Sequence, residues 1–418
     1  MPGQGGKKRF GGGPRLVGLF LAAAAFAMTP AAAGAAEPES ARACPRGEIL
    51  TVDGCTPFAE AGRVVEGIVD ETLADSDLKA ALARVDVGNR TLVTASPGES
   101  MAGVPATMRM NFRIGSVSIP YVIDLLLQLE DRGKLSLDDP LSEWLPQLPN
   151  ADDVTLRMLA SASAGYPDWV QGNEEFQKKL LADPFYQWTT PELLDAAFSQ
   201  DLICDPGKCF HYAHTNFAVL GKVIHEVTGR HIRNLLQKRV LTPLGLRHTE
   251  ISPLPAIPEP ALHAYSADRP ADDPIYEDST SWSPSYGLPA SMLMTATIAD
   301  VIRSSKAMGT GALVSKRASR ERFEPVTAGL PGIPGPQFDE DFYYGLGVLV
   351  LNGWQFQNPQ INGYASIGAY LPSRKISLAV SVTRGPSAAL TPTNYSSELF
   401  KAITLYLTPD HPAAVTPG

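Results

Sequence analysis

Residues 112–140 read FRIGSVSIPYVIDLLLQLEDRGKLSLDDP. An apolar run that suits a strand ends at Gly115, and Ser116 follows directly. From there apolar residues recur at three- and four-residue spacing, the pattern of a helix with one buried face. A small serine behind a glycine, at the mouth of a helix, is a common placement for a nucleophile. Three residues on, where one helical turn returns to the same face, stands Ile119. An isoleucine can neither accept a proton nor carry charge.

On either side of this junction the chain alternates in character. A helical pattern begins at Ala59 and is followed by strand-like runs at AALARVDVG, TLVTASPG and MRMNFRIG, separated by Gly, Asn and Pro. Residues of roughly 116–290 are mostly helical in pattern, with Pro-rich loops. One of these, SPLPAIPEPALHAYSADRPADDP (252–274), has the length of a functional loop. Strand patterns return in YGLGVLVLNGW, NGYASIGAYLP and RKISLAVSVT, and a final helix is expected over NYSSELFKAITLYL. There is no internal repeat. The order predicts an α/β (α+β) fold in which both ends of the chain complete one sheet, an all-helical lobe is inserted between them, and a cleft lies where the two meet.

The N-terminus is expected to be a leader. MPGQGGKKRFGGGPRL is basic, LVGLFLAAAAFAM is apolar but too short to span a bilayer, and AAAGAAE supplies small residues for cleavage near Ala36. The expected organisation is a signal peptide over 1–36, a disulfide-closed lead-in over 37–58 and a single domain over 59–410, with a secreted or extracytoplasmic destination and no transmembrane segment in the mature chain. The formal charge of the full chain is −9; without Lys7, Lys8, Arg9 and Arg15 the 35 basic residues fall to 31 against 44 acidic ones, giving −13. Such a surface, with no basic cluster, does not suit nucleic acid. The four cysteines fit export. Cys44 and Cys55 bracket CPRGEILTVDGC, while Cys204 and Cys209 bracket CDPGKC, and two local disulfides are expected. Cys204, Cys209, His211 and His214 could alternatively hold a metal, but no metal or cofactor is expected.

The chain resembles the serine β-lactamase and D-alanyl-D-alanine carboxypeptidase family, in particular its class C β-lactamase and esterase branch. The resemblance is carried by FRIGSVS with LLLQLEDRGKLSLDDP, by YAHTNFAVLGKVIHEVTGR, VLTPLGLRHTEI and SMLMTATIADVIRSSKAMGTGALVS, and by FYYGLGVLV, in family order over most of residues 60–405. It implies an antiparallel sheet flanked by helices. It also implies three catalytic motifs, and each is altered. The S-x-x-K motif reads Ser116-Val117-Ser118-Ile119. Serine needs a neighbour to take its proton, and the lysine is gone. The Y-x-N motif reads Tyr212-Ala213-His214, so a histidine replaces the substrate-binding asparagine. Counting back from Gly363-Tyr364-Ala365-Ser366 puts Gln357-Asn358-Pro359 where K-T-G or H-x-G belongs, with Gln360 as the oxyanion N–H opposite that of Ser116. The segment ASASAGYPD also carries Ala162 and Ala164 where the family is more polar.

Because the departures fall on residues that would touch substrate or move protons, the leading expectation is a pseudoenzyme. It would be impaired or inactive as a β-lactamase or peptidase and would keep its cleft for a peptidoglycan-derived peptide or an acyl or ester small molecule. The alternative is an active, esterase-like serine hydrolase in which Ser116 is the nucleophile and Tyr212 with His214 the base.

Overall fold

The computed structural model describes residues 44–414 except 253, 270–273 and 288–293. The expected leader at 1–36 lies outside the described residues. A seven-strand antiparallel path runs in the order Phe342–Tyr344, Leu349–Leu351, Trp354–Gln357, Tyr364–Leu371, Ile376–Arg384, Leu78–Val87, Arg90–Ala95. The N-terminal strand Leu78–Val87 thus docks on the last strand of the chain, with Val382 opposite Ala81 and Ile376 opposite Val87. This is the closure by both chain ends that the order of patterns predicts.

One face of the sheet is covered by the helices Phe58–Asp75 and Tyr395–Leu407. Val65, Val69, Leu399, Phe400 and Ile403 bury themselves against Val85, Ile367, Leu378 and Val380. Each such side chain contributes roughly 1.5–3 kcal/mol on leaving water. The opposite face meets the helix Ile298–Gly309 and the larger core cluster, which continues into the inserted lobe.

That lobe contains the helices Ile119–Glu130, Leu156–Ala160, Glu174–Ala182, Thr190–Phe198, His214–Thr228 and Ile232–Leu236. The lobe, expected from sequence to be all-helical, also carries short strands. Phe112–Arg113, Met294–Ala296 and Glu250–Ile251 form a small three-stranded sheet beside the serine. Such short strands leave no period-two pattern to read. Ahead of the first helix a hairpin, Glu48–Thr51 with Gly54–Pro57, is cross-linked by Cys44–Cys55. No described helix is long and apolar enough to cross a membrane.

Candidate active site

Ser116 sits where the strand Phe112–Arg113 turns into a helix. Gly115 makes the turn at φ +48°, and a Cβ there would lie 2.5 Å from Pro359 Cβ. Both facts require glycine: a left-handed backbone, and no room for a side chain. A single 3₁₀ turn over Gly115–Ser118 leads into the helix Ile119–Glu130, with Pro120 in its first turn where a missing N–H costs nothing. Ser116 is 1% exposed, and its Oγ accepts a hydrogen bond from Tyr212 Oη at 2.6 Å. The two residues are 96 apart in sequence, and the fold places them in contact.

Tyr212 keeps its proton. Burial pushes its hydroxyl above the ordinary tyrosine range, the negative charge of Asp168 pushes the same way, and the bond to Ser116 offsets them only in part. No cation is among the groups acting on it. At the lysine position, Ile119 is fully buried. It and Ile123 close over Gly347, where a Cβ would lie 3.1 Å from Ile119 Cγ2 and 2.4 Å from Ile123 Cγ1. The lysine position is therefore filled by packed hydrocarbon.

His214 opens the helix His214–Thr228 and is fully buried. Its backbone N–H and its Nδ1 both meet Asp168 Oδ2, the latter at 2.8 Å. Asp168 Oδ1 accepts from the N–H groups of Val170 (2.6 Å) and Gln171 (2.8 Å). Burial alone would raise this carboxyl. The adjacent histidine and the backbone donors outweigh it and hold the group below the usual carboxylate range. The His214 ring lies edge-on to Tyr212, centroids 5.4 Å apart, and its Nε2 is buried with no hydrogen-bond partner among the described residues. The structure thus brings His214 beside Tyr212 but does not bond it to either reactive hydroxyl. Asp168 was not singled out from sequence. Its only signal is an acid directly after the glycine loop, in YPDW, and nothing in a 46-residue separation announces the pairing.

The opposite wall is the end of the strand Trp354–Gln357. Gln357 occupies the position expected of a cation, is 3% exposed, and spends its amide on Tyr344 Oη (2.9 Å) and Gly347 O (2.8 Å). Tyr344 in turn packs against Tyr212, centroids 6.2 Å apart. Pro359 lies against Gly115, as its contact with a Cβ there records. Ser366 N–H donates to Pro359 O at 3.1 Å, which makes residues 359 and 366 a hydrogen-bonded rung. The next pair, Gln360 with Ala365, is then the non-bonded kind. The main-chain N–H of Gln360 therefore faces away from the partner strand.

The remaining sequence candidates are committed elsewhere. Cys204 and Cys209 are joined as a disulfide, and His211 Nδ1 meets Ile333 O at 2.6 Å, so neither they nor His214 form a metal cluster. A Ser-x-x-Lys spacing does occur at Ser76–Lys79, but Ser76 caps the end of the helix Phe58–Asp75 and Lys79 lies in the strand Leu78–Val87, reaching Glu99 and the face of Tyr265. It is no catalytic motif.

The family described as Beta-lactamase matches residues 65–399. Esterase EstB of Burkholderia gladioli is 29% identical over 195 residues, 44% of this chain and 50% of that protein. Penicillin-binding protein 4* of Bacillus subtilis is 23% identical over 226 residues, 51% of this chain and 48% of its own length. The chain spans 36%, 48% and 52% of the length of three such curated relatives. In fold it is similar to the D-amino acid amidase of Ochrobactrum anthropi SV3, with a TM-score of 0.71 at 22% identity over 83% of this chain and 98% of that one.

Proposed function

The chain belongs to the beta-lactamase family, and from that premise we propose that it is an exported member in which acyl transfer has been silenced and the cleft kept for binding. The observation that carries this reading is the surroundings of the Ser116–Tyr212 pair. The nucleophile position touches a tyrosine held in its protonated form, and the neighbour that should take the proton is a buried isoleucine. A serine hydroxyl without a base is a poor nucleophile. Loss of one member of such a unit already removes most of the rate, so the further changes at His214 and Gln357 add little. The outward N–H of Gln360 and that of Ser116 can still polarise a bound carbonyl. The ligand class is accordingly an acyl, ester or amide compound, such as a peptidoglycan-derived peptide. The names of the relatives, penicillin-binding proteins and an esterase, support that class by likeness.

The test is covalent labelling. A fluorescent penicillin and a fluorophosphonate are expected to mark neither the native chain nor Ser116→Ala. Labelling of the native chain that disappears in Ser116→Ala sinks the silenced reading. Export is tested by sequencing the N-terminus of the protein recovered outside the cytoplasm, where a start near Glu37 is expected.

A second reading, an active esterase, is favoured by the 2.6 Å Tyr212–Ser116 contact and by the Asp168–His214 pair behind it. Alcohol leaving groups ask less of a general acid than amines do. Equal p-nitrophenyl ester turnover by the native chain and Ser116→Ala would remove this reading, and a Ser116-dependent rate would establish it.

A further inference from the structure

We propose that the outer face of the helical run from Ile232 to Leu244 is a docking strip for an aliphatic phosphodiester polymer, separate from the cleft. The acidity of the whole chain, and the lack of a basic cluster expected from sequence, conceal a local reversal of sign. Residues 229–249 hold Arg230, Arg233, Lys238, Arg239 and Arg247 and not one Asp or Glu. The helix Ile232–Leu236 continues through a wider turn, Gln237–Leu241, and a last turn, Thr242–Leu244, to Gly245 at φ +64°. Leu235, Leu236, Val240 and Leu241 are buried and form its inner side. That side packs against the helix Ile119–Glu130, where Gln128 Nε2 donates to Arg239 O at 3.3 Å. Arg230, Arg233, Lys238 and Arg247 are exposed, and Arg239 is half-buried. Arg303 joins them from the helix Ile298–Gly309, its Nη1 donating to Gly245 O at 2.6 Å. At ~1.5 Å per residue the strip is about 20 Å long, and Gln128 lies roughly 18 Å along the helix axis from Ser116.

The surroundings of these cations set the partner. None of the six has an ion pair among the described residues, whereas Arg157, Arg317, Arg374 and Arg384 each meet a carboxylate. The acids nearest in sequence, Glu226 and Glu250, stand beyond the two ends of the strip. A row of unpaired cations on a packed helix favours a chain whose phosphates are crowded with counterions, because each contact releases them. The fork of arginine also suits phosphate oxygens. Residues 229–249 contain no Phe, Tyr or Trp, so they offer no platform on which bases could stack. They expose no large apolar side chain either, so nothing is presented for insertion into a bilayer. A polyol phosphate chain, flexible and without bases or acyl tails, fits each of these conditions.

The test titrates the full chain with fluorescently labelled poly(glycerol phosphate) and reads anisotropy across a range of salt. At ~0.7 per phosphate met, four to five contacts predict a slope of about 3 in log Kd against log salt, or roughly 60-fold weaker binding at about 200 mM than at about 50 mM. Arg233→Glu/Lys238→Glu should weaken binding at least about tenfold at low salt and lower the slope by ~1.4. The charge-matched pair Arg46→Glu/Arg63→Glu, in the lead-in and in the helix on the far face of the sheet, should leave the slope unchanged. Circular dichroism checks the fold of each. Should the first pair fail to fold, Arg233→Gln/Lys238→Gln carries the comparison. Ser116→Ala should bind as the native chain does, so the result does not depend on whether the serine reacts. The proposal is overturned if the native chain does not bind the polymer at low salt, or if the control pair weakens binding as much as the strip pair does. It is also overturned if an oligothymidylate of equal charge, or phosphatidylglycerol vesicles, bind more tightly than the polymer.

Discussion

Replacing Ile119 with lysine puts the family's base back where the helix expects it, and the structure sets the cost. The new ammonium would enter a fully buried position bordered by Ile123 and Gly347. The nearby buried acids are engaged, Asp168 by His214 and Asp124 by Arg322. An unpaired buried lysine titrates instead of staying charged, with its pKa depressed by up to ~3–5 units. If the folded value falls below 7, holding the residue neutral at pH 7 costs about 1.36 kcal/mol for each of ~3.4 units below the unfolded 10.4, or about 4.6 kcal/mol. At pH 9 the same reasoning gives about 2 kcal/mol. The sign is fixed by proton binding: between the two pKa values the unfolded chain holds the extra proton, so stability rises with pH across that window. Against a total of ~5–15 kcal/mol, Ile119→Lys should be strongly destabilised at pH 7 and substantially recovered at pH 9. A neutral amine beside Ser116 is also what a general base must be, and such a group typically contributes ~10²–10⁴-fold. Urea unfolding from pH 6 to 9 gives the first quantity and the rate of fluorescent penicillin labelling at pH 9 gives the second, with Ile119→Met as the uncharged control. The reasoning is refuted if native and Ile119→Lys label at the same rate, or if the variant's stability is flat with pH.

Other perturbations reach the scaffold around the pair. Asp168→Ala leaves four donors without their acceptor and a buried histidine without its partner, and urea titration should read a loss of ~3–5 kcal/mol. Because the Asp168 carboxyl is held below its ordinary range, its contribution is fully present above the unfolded value of ~3.9 and fades as pH falls through the folded one; the native chain should therefore lose stability below about pH 4 more steeply than Asp168→Asn, as read by acid titration of the circular dichroism. Gly115→Ala forces a side chain into a left-handed backbone and onto Pro359, and should cost more than ~2 kcal/mol or prevent soluble expression, whereas Gly133→Ala, also left-handed but in open space, should cost about 1 kcal/mol. Opening the Cys204–Cys209 loop with the paired serine variants should remove roughly 2 kcal/mol, visible by calorimetry, if loop entropy is the whole of its effect.

Much of this was legible because the family's long scaffold segments fix the register of the short motifs between them. Counting back from Gly363 placed Pro359, and the fold sets it directly against Gly115. The closure of the sheet followed from the order of periodicities. Less was legible where function depends on contacts across sequence. Asp168 becomes the partner of His214 only once the glycine loop at 165 and the helix beginning at 214 pack together. From sequence, His214 reads either as a plain replacement of the family's asparagine or as a surrogate base; the buried carboxylate that occupies its Nδ1 is a tertiary fact. Of the small sheet beside Ser116, only Phe112–Arg113 showed within a strand-like run, because Glu250–Ile251 and Met294–Ala296 are too short to leave a pattern.

Pro359 carries one more implication, for how this end of the sheet is held. In a hydrogen-bonded pair of an antiparallel ladder, both main-chain groups of a residue point at the partner strand. At residue 359 there is no N–H to give, so its rung is closed by a single bond, from Ser366 N–H to Pro359 O, where two are usual. The ring that removes the donor also fills the space against Gly115. The end of this strand is therefore held to the serine's turn by side-chain packing as much as by the ladder.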